Sequence, residues 1–320
     1  MTEPVRTTPV VTPVVTPVVA LVGATATGKS DLAVDLALEL GGEVVSADSM
    51  QLYAGMDIGT AKITEQERRG VPHHLLDVWP VTRAAAVAQY QQLARRAFDE
   101  VRGRGHVPLL VGGSGLYVRA ALDDLRFPPT DPRVRARWEA EGERLGAAAL
   151  HERLAEVDPA AATRILASNT RRVVRALEVV ELTGRPFAAS MPEHGQTSRV
   201  VPAVVVGLRR PREELDRRVE DRVDRMWRAG FVAEVERLLG LGLEQGPTAS
   251  RAVGYAQVVD LLRGRLSETE ARLRTVAATR RLVRRQESWF GADPDVAWVD
   301  AGEPGTRGRL LDLVRSRLLR

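Results

Sequence analysis

Gly23-Ala24-Thr25-Ala26-Thr27-Gly28-Lys29-Ser30 meets the pattern G-x-x-x-x-G-K-[ST] at every fixed position. In this arrangement the glycines let successive backbone N–H groups close around a phosphate, the N-terminus of the following helix adds partial positive charge, and Lys29 supplies a point cation. The Ser30 hydroxyl is placed to hold Mg²⁺ on the same phosphates. The motif requires a phosphorylated ligand but does not identify it.

Asp48, in SADSMQLYAGMDIGTAK (46–62), falls at the C-terminal end of the next expected strand. Ligands of open α/β sheets sit outside the carboxyl ends of the strands, so Asp48 should face the same crevice as the phosphate loop. A carboxylate there can bind Mg²⁺, accept a proton from a nucleophile, or simply cap the following turn. The third apolar run, VPLLVGGSGLY (107–117), ends in Gly112-Gly113-Ser114 and not in the acid that many phosphate-loop hydrolases carry. With no guanine-base motif either, the chain reads as one that binds a diphosphate without the usual hydrolytic apparatus.

Of the 46 basic residues only Lys29 and Lys62 are lysine, and both lie within these motifs. A compact ammonium is not interchangeable with a guanidinium fork, and Gly55, Gly59 and Thr60 shape a tight loop that would bring Lys62 round towards the site. Arg218 and Arg222 are four apart on an expected helix, so they share a face and can clamp a phosphate group. The segment 263–285 carries eight Arg against two acids, a polyanion footprint or a solvated face. Arg171, Arg172 and Arg175 form a smaller patch near Asn169. His73 and His74 are adjacent on one backbone with no third ligand in step, which favours hydrogen bonding over a metal site. Trp138, Trp227, Trp289 and Trp298 fall in helix or strand patterns and are expected in the core.

The elements that must position these groups alternate. VVALVG (18–23), EVVSADS (43–49), VPLLVGG (107–113), VVPAVVVGL (200–208) and VAWVD (296–300) read as strands, separated by helical stretches from Asp31 and from Val87, and by long Arg-rich helices at 211–240 and 267–290. That order predicts an α/β fold: a P-loop NTPase-like parallel sheet flanked by helices. Between 123 and 199 the strand signal disappears and amphipathic helices follow one another. The expected organisation is a disordered Val-Thr-Pro tail (1–17), a discontinuous core (18–122 and 200–320), and an inserted all-helical subdomain (123–199).

The chain has 320 residues, 44% hydrophobic and 28% charged, with no cysteine and a net charge of +4. Disulfides, zinc-thiolate centres and thiol nucleophiles are therefore excluded. No run approaches the roughly 18–20 apolar residues of a membrane span, and no secretory leader pattern opens the chain. A cytoplasmic protein without membrane contact is expected, and a monomer, since nothing demands a dimer.

GATATGKS (23–30), ADSMQLYAGMDIGTAK (47–62), PHHLLD (72–77), LVGGSGLY (110–117), RRVVRALE (171–178), RAVGY (251–255) and TRRLVRRQESWF (279–290) together resemble the tRNA dimethylallyltransferases, also called tRNA isopentenyltransferases, of the IPP transferase family. The resemblance runs in family order from about 18 to 290. It implies transfer of a dimethylallyl group from dimethylallyl diphosphate to N6 of adenosine at position 37 of tRNA, beside the anticodon, with Mg²⁺. Gly23, Thr25, Ala26, Thr27, Gly28, Lys29, Ser30 and Arg218 would then hold the donor's diphosphate. Asp48 would accept the N6 proton, Lys29, Ser30 and Arg222 would stabilise the leaving diphosphate, and Ser114 would lie where nucleophile and donor meet.

The resemblance also implies tRNA contacts at Asp48, Ser49, Met50 and Gln51, at Ser114 and Arg135, at Arg171, Arg172 and Arg175, and at Arg251, Gly254 and Tyr255. The target adenine would be swung out of the anticodon-loop stack. Two departures from the family pattern stand out: Ala24 stands where the family often has Pro, and Ala256 where many members have a basic residue, so the resemblance does not carry over the tRNA phosphate contact at that position. Read without the resemblance, the residues leave open an ATP-dependent small-molecule kinase, prenyl transfer to a free adenine nucleotide, or a nucleotide switch.

Overall fold

The run from Val18 to Gly23 is apolar at alternate positions on both faces, so it can be stable only inside a sheet covered on both sides. The computed structural model describes residues 16–187 and 198–318. In it β1 (Val18–Gly23) is fully buried and lies between two parallel neighbours. The next elements are α1 (Lys29–Leu40), β2 (Gly42–Ser46), α2 (Glu65–Arg68), β3 (His73–His74), α3 (Val87–Gly103), β4 (Val107–Gly112) and α4 (Gly115–Leu122). A helical segment intervenes, with α5 (Pro132–Leu145), α6 (Ala147–Val157), α7 (Pro159–Arg164) and α8 (Thr170–Thr183). The chain then resumes with β5 (Ala203–Arg209), α9 (Arg212–Arg228), α10 (Phe231–Gly240), α11 (Tyr255–Leu262), α12 (Glu268–Gly291), β6 (Ala297–Asp300) and α13 (Thr306–Leu318).

The sheet has the order β3-β2-β4-β1-β5-β6, and every pairing is parallel. Val18, Ala20 and Val22 enter one core with residues of α3, α4, α10 and α11, such as Phe98, Val118, Phe231 and Val258. Val19 and Leu21 enter the other, against Val34 of α1 and Leu310 and Val314 of α13. Each fully buried aliphatic side chain contributes about 1.5–3 kcal/mol relative to exposure, and the two-sided packing gives the parallel sheet its stability. The expected α/β sheet flanked by helices is present.

The chain divides into one compact unit that runs up to Asp123 and from Arg199 onward, which holds the sheet, and a second, Asp124–Ser198. The second unit is helical and has its own core, including Leu150, Leu154, Ile165, Val173 and Leu177. Residues 1–15 of the expected tail and 188–197 of the insertion lie outside the described residues.

Two local expectations are corrected and one short strand is added. The strand read at 43–49 stops at Ser46, because Asp48 accepts the Met50 N–H at 2.9 Å and turns the chain. The helix read over 211–240 is two helices, broken where Gly230 adopts φ 94, a left-handed conformation that other residues disfavour. A two-residue strand at His73–His74 pairs with Val44 and Val45, too short to leave a period in the sequence.

Candidate active site

The phosphate loop opens at Gly23, whose φ of +139 and close approach to β5 leave no room for a side chain: a Cβ there would lie 2.5 Å from the Leu208 carbonyl oxygen. Inside the loop, buried Thr27 donates its hydroxyl to Ala24 O at 2.8 Å, and Lys29 Nζ donates to the same carbonyl at 2.6 Å. Three side chains from distant segments brace it. Gln286 of α12 accepts the Thr25 N–H at 2.8 Å, Arg218 of α9 donates Nε to Ala26 O at 2.7 Å, and Arg210 donates Nε to Thr27 O at 3.0 Å. Gln286 and Arg210 were not among the expected site residues. Gln286 lies within the motif 279–290 and is an uncharged amide at a helix position whose periodicity is apolar, and the structure buries it.

Across the crevice, Asp48 sits just beyond β2, and the Met50 N–H occupies its Oδ1. The hydroxyl of Ser114, after β4, accepts the Ser49 N–H at 3.3 Å, while the Ser114 N–H donates to Ala47 O at 3.3 Å. Beneath them the Tyr90 hydroxyl donates to Ser46 O at 3.0 Å. Gln51 shares a hydrogen bond with the Ser46 hydroxyl at 3.4 Å. β1, β2 and β4 are neighbours in the sheet, so their carboxyl ends bring the phosphate loop, Asp48 and Ser114 to one edge.

A cleft of about 560 Å³ lies along that edge, within the size range of small-molecule sites. Lys29, Ser30, Asp48, Gln51, Arg218 and Arg222 all line it. Burial pushes the Lys29 ammonium down to about 7; the Arg222 charge adds to the effect and Asp48 opposes it. Burial also lowers Arg218 and Arg222, from a range so high that both stay cationic. Lys29, Arg218 and Arg222 gather basic groups in this cleft, an arrangement suited to an anion, and the acids Asp31, Asp48, Asp57 and Glu67 line it as well.

The remaining expected residues divide by position. Arg171, Arg172 and Arg251 are exposed. Arg135 and Arg175 are committed inside the helical unit: both donate to the buried Glu178 carboxylate, at 2.8 and 2.7 Å, and Arg175 also reaches the carbonyls of Pro128 and Pro129. Gly254 and Tyr255 are buried, with the Tyr255 ring against Gly59. Lys62 does not serve the cleft as a free cation, since it binds Tyr53 O, Asp57 and Asp77 at 2.5–3.0 Å. His73 bonds to Val71 O and His74 to Glu43, as expected of hydrogen-bonding histidines. Trp289 packs against Gly115, where a Cβ would lie 2.0 Å from its ring.

Comparison with known proteins gives one consistent answer. The family model described as IPP transferase matches residues 51–293. The chain is 64% identical over 260 residues to the tRNA dimethylallyltransferase of Kineococcus radiotolerans, covering 81% of each chain. It is 60% identical over 272 residues to that of Thermobifida fusca, covering 85% of this chain and 84% of the relative. Among solved structures, the tRNA isopentenylpyrophosphate transferase of Bacillus halodurans superposes with a TM-score of 0.71 at 37% identity, over 95% of this chain and 97% of the other. A eukaryotic dimethylallyltransferase acting on tRNA shares the fold, with a TM-score of 0.75 at 23% identity over 94% of this chain and 79% of the other.

Proposed function

The chain belongs to the IPP transferase family, and on that footing we propose that its cleft transfers a dimethylallyl group from dimethylallyl diphosphate to N6 of adenosine at position 37 of tRNA. It is a transferase that prenylates tRNA. The observation that carries the reading is that Lys29, Arg218 and Arg222 line the same cleft as Asp48.

Each group has a step. The N6 lone pair attacks C1 of the donor, the C1–O bond breaks, and the diphosphate leaves with the electron pair. Charge grows on the leaving oxygen, where preorganised cations and loop N–H groups lower the barrier. N6 must shed a proton as its bond to carbon forms. Asp48 has Oδ1 engaged by the Met50 N–H, so Oδ2 is the oxygen left for that proton. Ser114, hydrogen-bonded to Ser49, flanks the approach of the base.

Ser30 opens α1 with an exposed hydroxyl, and among the described residues no group of three or more His, Asp or Glu could hold an ion. Such a donor set suits Mg²⁺ held mostly by diphosphate oxygens and water, with one hydroxyl from the protein. Bound there, it would neutralise charge on the diphosphate. Exposed Arg171, Arg172 and Arg251 are assigned to tRNA phosphates, and extruding the adenine costs a few kcal/mol, roughly the energy of unstacking one base. No helix among the described residues is long and apolar enough to cross a membrane. A monomer working in the cytoplasm, where tRNA resides, completes the reading.

The test is transfer of labelled dimethylallyl from its diphosphate to unmodified tRNA with adenosine at position 37, with Mg²⁺ and a guanosine-substituted control. Label on the adenosine tRNA alone is the expected result. Absence of label with folded protein, together with ATP-dependent phosphoryl transfer to a small molecule, would replace this reading with a kinase.

A further inference from the structure

Glu234 lies on the apolar face of α10, beside Phe231, Val235 and Leu238, and is 5% exposed. A carboxylate buried there needs several donors, because an unsatisfied one costs several kcal/mol, of order the desolvation of a charged group. It has them. Oε2 accepts the N–H groups of Asp57 and Ile58 at 3.0 and 2.7 Å, and Oε1 accepts the Gly59 N–H at 3.1 Å and the Tyr255 hydroxyl at 2.6 Å. Gly59 lies flush on the rings beneath, where a Cβ would stand 2.2 Å from Phe231 and 2.6 Å from Tyr255. One helical turn on, Arg237 donates to Gly55 O at 2.9 Å. The loop is thus held to α10 along its length.

The fixed loop leads directly to the cleft. Thr60, the next residue, presents its carbonyl to Nη2 of Arg222 at 2.8 Å. Arg222 and Thr60 line the cleft, whereas Glu234 and Tyr255 do not. The contacts run without a gap from Tyr255 through Glu234, the backbone of 57–59 and the Thr60 carbonyl to the Arg222 guanidinium.

The geometry points to Glu234 and Tyr255 as a pair of positioning residues that fix the loop 57–60 and, through the Thr60 carbonyl, set Arg222 against the donor diphosphate. The inference rests on the prenyl-transfer reading above. A long Arg side chain has many rotamers, and a misplacement of about 1 Å at a transition-state contact can cost on the order of 100-fold in rate. Tyr255 therefore acts through the loop and not by touching RNA.

The experiment compares Tyr255→Phe and Glu234→Gln, alone and combined with Arg222→Ala, using labelled dimethylallyl diphosphate and tRNA, with a thermal melt of each variant. Tyr255→Phe removes one donor, and Glu234→Gln turns an amide N–H towards backbone N–H groups. The expected result is a fall in kcat/KM for the donor, about 5-fold for Tyr255→Phe and more than 10-fold for Glu234→Gln, at unchanged KM for tRNA. With Arg222→Ala present, neither change should lower kcat/KM further, because residues acting through one group are not additive. Full additivity with Arg222→Ala, or equal losses for donor and tRNA, overturns the inference. If Glu234→Gln does not fold, the Tyr255→Phe cycle decides alone. A wild-type protein that transfers no prenyl group would overturn the reaction itself, so the two failures are read separately.

Discussion

Gln286 in α12 accepts the N–H of Thr25 across 261 residues of sequence, at 2.8 Å. The phosphate loop is therefore shaped by α12 as well as by its own glycines. Removing the acceptor leaves a loop N–H unsatisfied and free to reorient. Gln286→Ala should raise KM for dimethylallyl diphosphate about 3- to 10-fold, the range for one lost neutral hydrogen bond. Steady-state kinetics with the donor varied at saturating tRNA checks this, and an unchanged donor KM would show that the loop holds its form unaided.

Lys29 titrates near neutrality because it is buried, with Arg222 beside it. Its pKa in the folded chain, about 7, lies below the unfolded value of 10.5, so between those values the unfolded chain binds more protons and stability rises with pH. A diphosphate has the opposite effect on the group: anionic oxygens raise the Lys29 pKa, binding takes up a proton, and affinity falls as pH rises above about 7. Calorimetric titration with dimethylallyl diphosphate at pH 8 in two buffers of different ionisation enthalpy measures the uptake directly. Zero uptake would remove Lys29 from the diphosphate site.

Asp48→Asn keeps an acceptor for the Met50 N–H but has no carboxylate to receive the N6 proton. Turnover should fall by about 10²- to 10⁴-fold, the usual contribution of a general base. Affinity for tRNA, measured by filter binding, should stay within about twofold, in line with surface substitutions that leave packing intact. Near-normal turnover would sink the assignment of Asp48 as proton acceptor.

Glu43, buried on β2, accepts hydrogen bonds from Nε and Nη2 of Arg104 and is hydrogen-bonded to His106 and His74. The Arg104 bond, with the two histidines, holds its carboxyl down at about 2 against the opposing effect of burial. The folded value lies below the unfolded 4.5, so this stabilisation is complete above about 4.5 and is lost as pH falls from there towards 2. Glu43→Gln should lower stability at neutral pH by on the order of 2 kcal/mol, less than the full shift implies because Arg104 and His106 are half exposed. It should also flatten the acid limb of the melting curve. Chemical denaturation between pH 2.5 and 7 follows both effects, and an unaltered acid limb would rule out Glu43 as its source.

The parts of this molecule that could be read in the sequence are those in which chemistry and spacing are local. The phosphate loop is eight consecutive residues, and β1 declares itself by apolar residues on both faces. Asp48 could be placed because a strand end dictates where it faces. The contacts that tune the site were hidden for the converse reason: Gln286 with Thr25, Glu234 with the loop 57–59, and Arg222 with Thr60 join residues more than 160 apart. In the sequence Glu234 is simply an acid within a helix, and only the fold reveals the donors that gather round it. Tyr255 shows the same limit from the other side, since its motif gives it importance while burial decides how it acts.

The chain departs from the sheet unit after Asp123 and returns at Arg199, where these two residues form an isolated antiparallel bridge, with the N–H groups of Val200 and Val201 both on the Leu122 carbonyl. For the strands, everything between those residues is one closed excursion, and the entropic cost of closing it grows only with the logarithm of its length. Descent can therefore lengthen, trim or exchange this segment without shifting the register of any strand. The sheet unit and the helical insertion are in this sense separately heritable: one can be remodelled while the strand register of the other stays fixed.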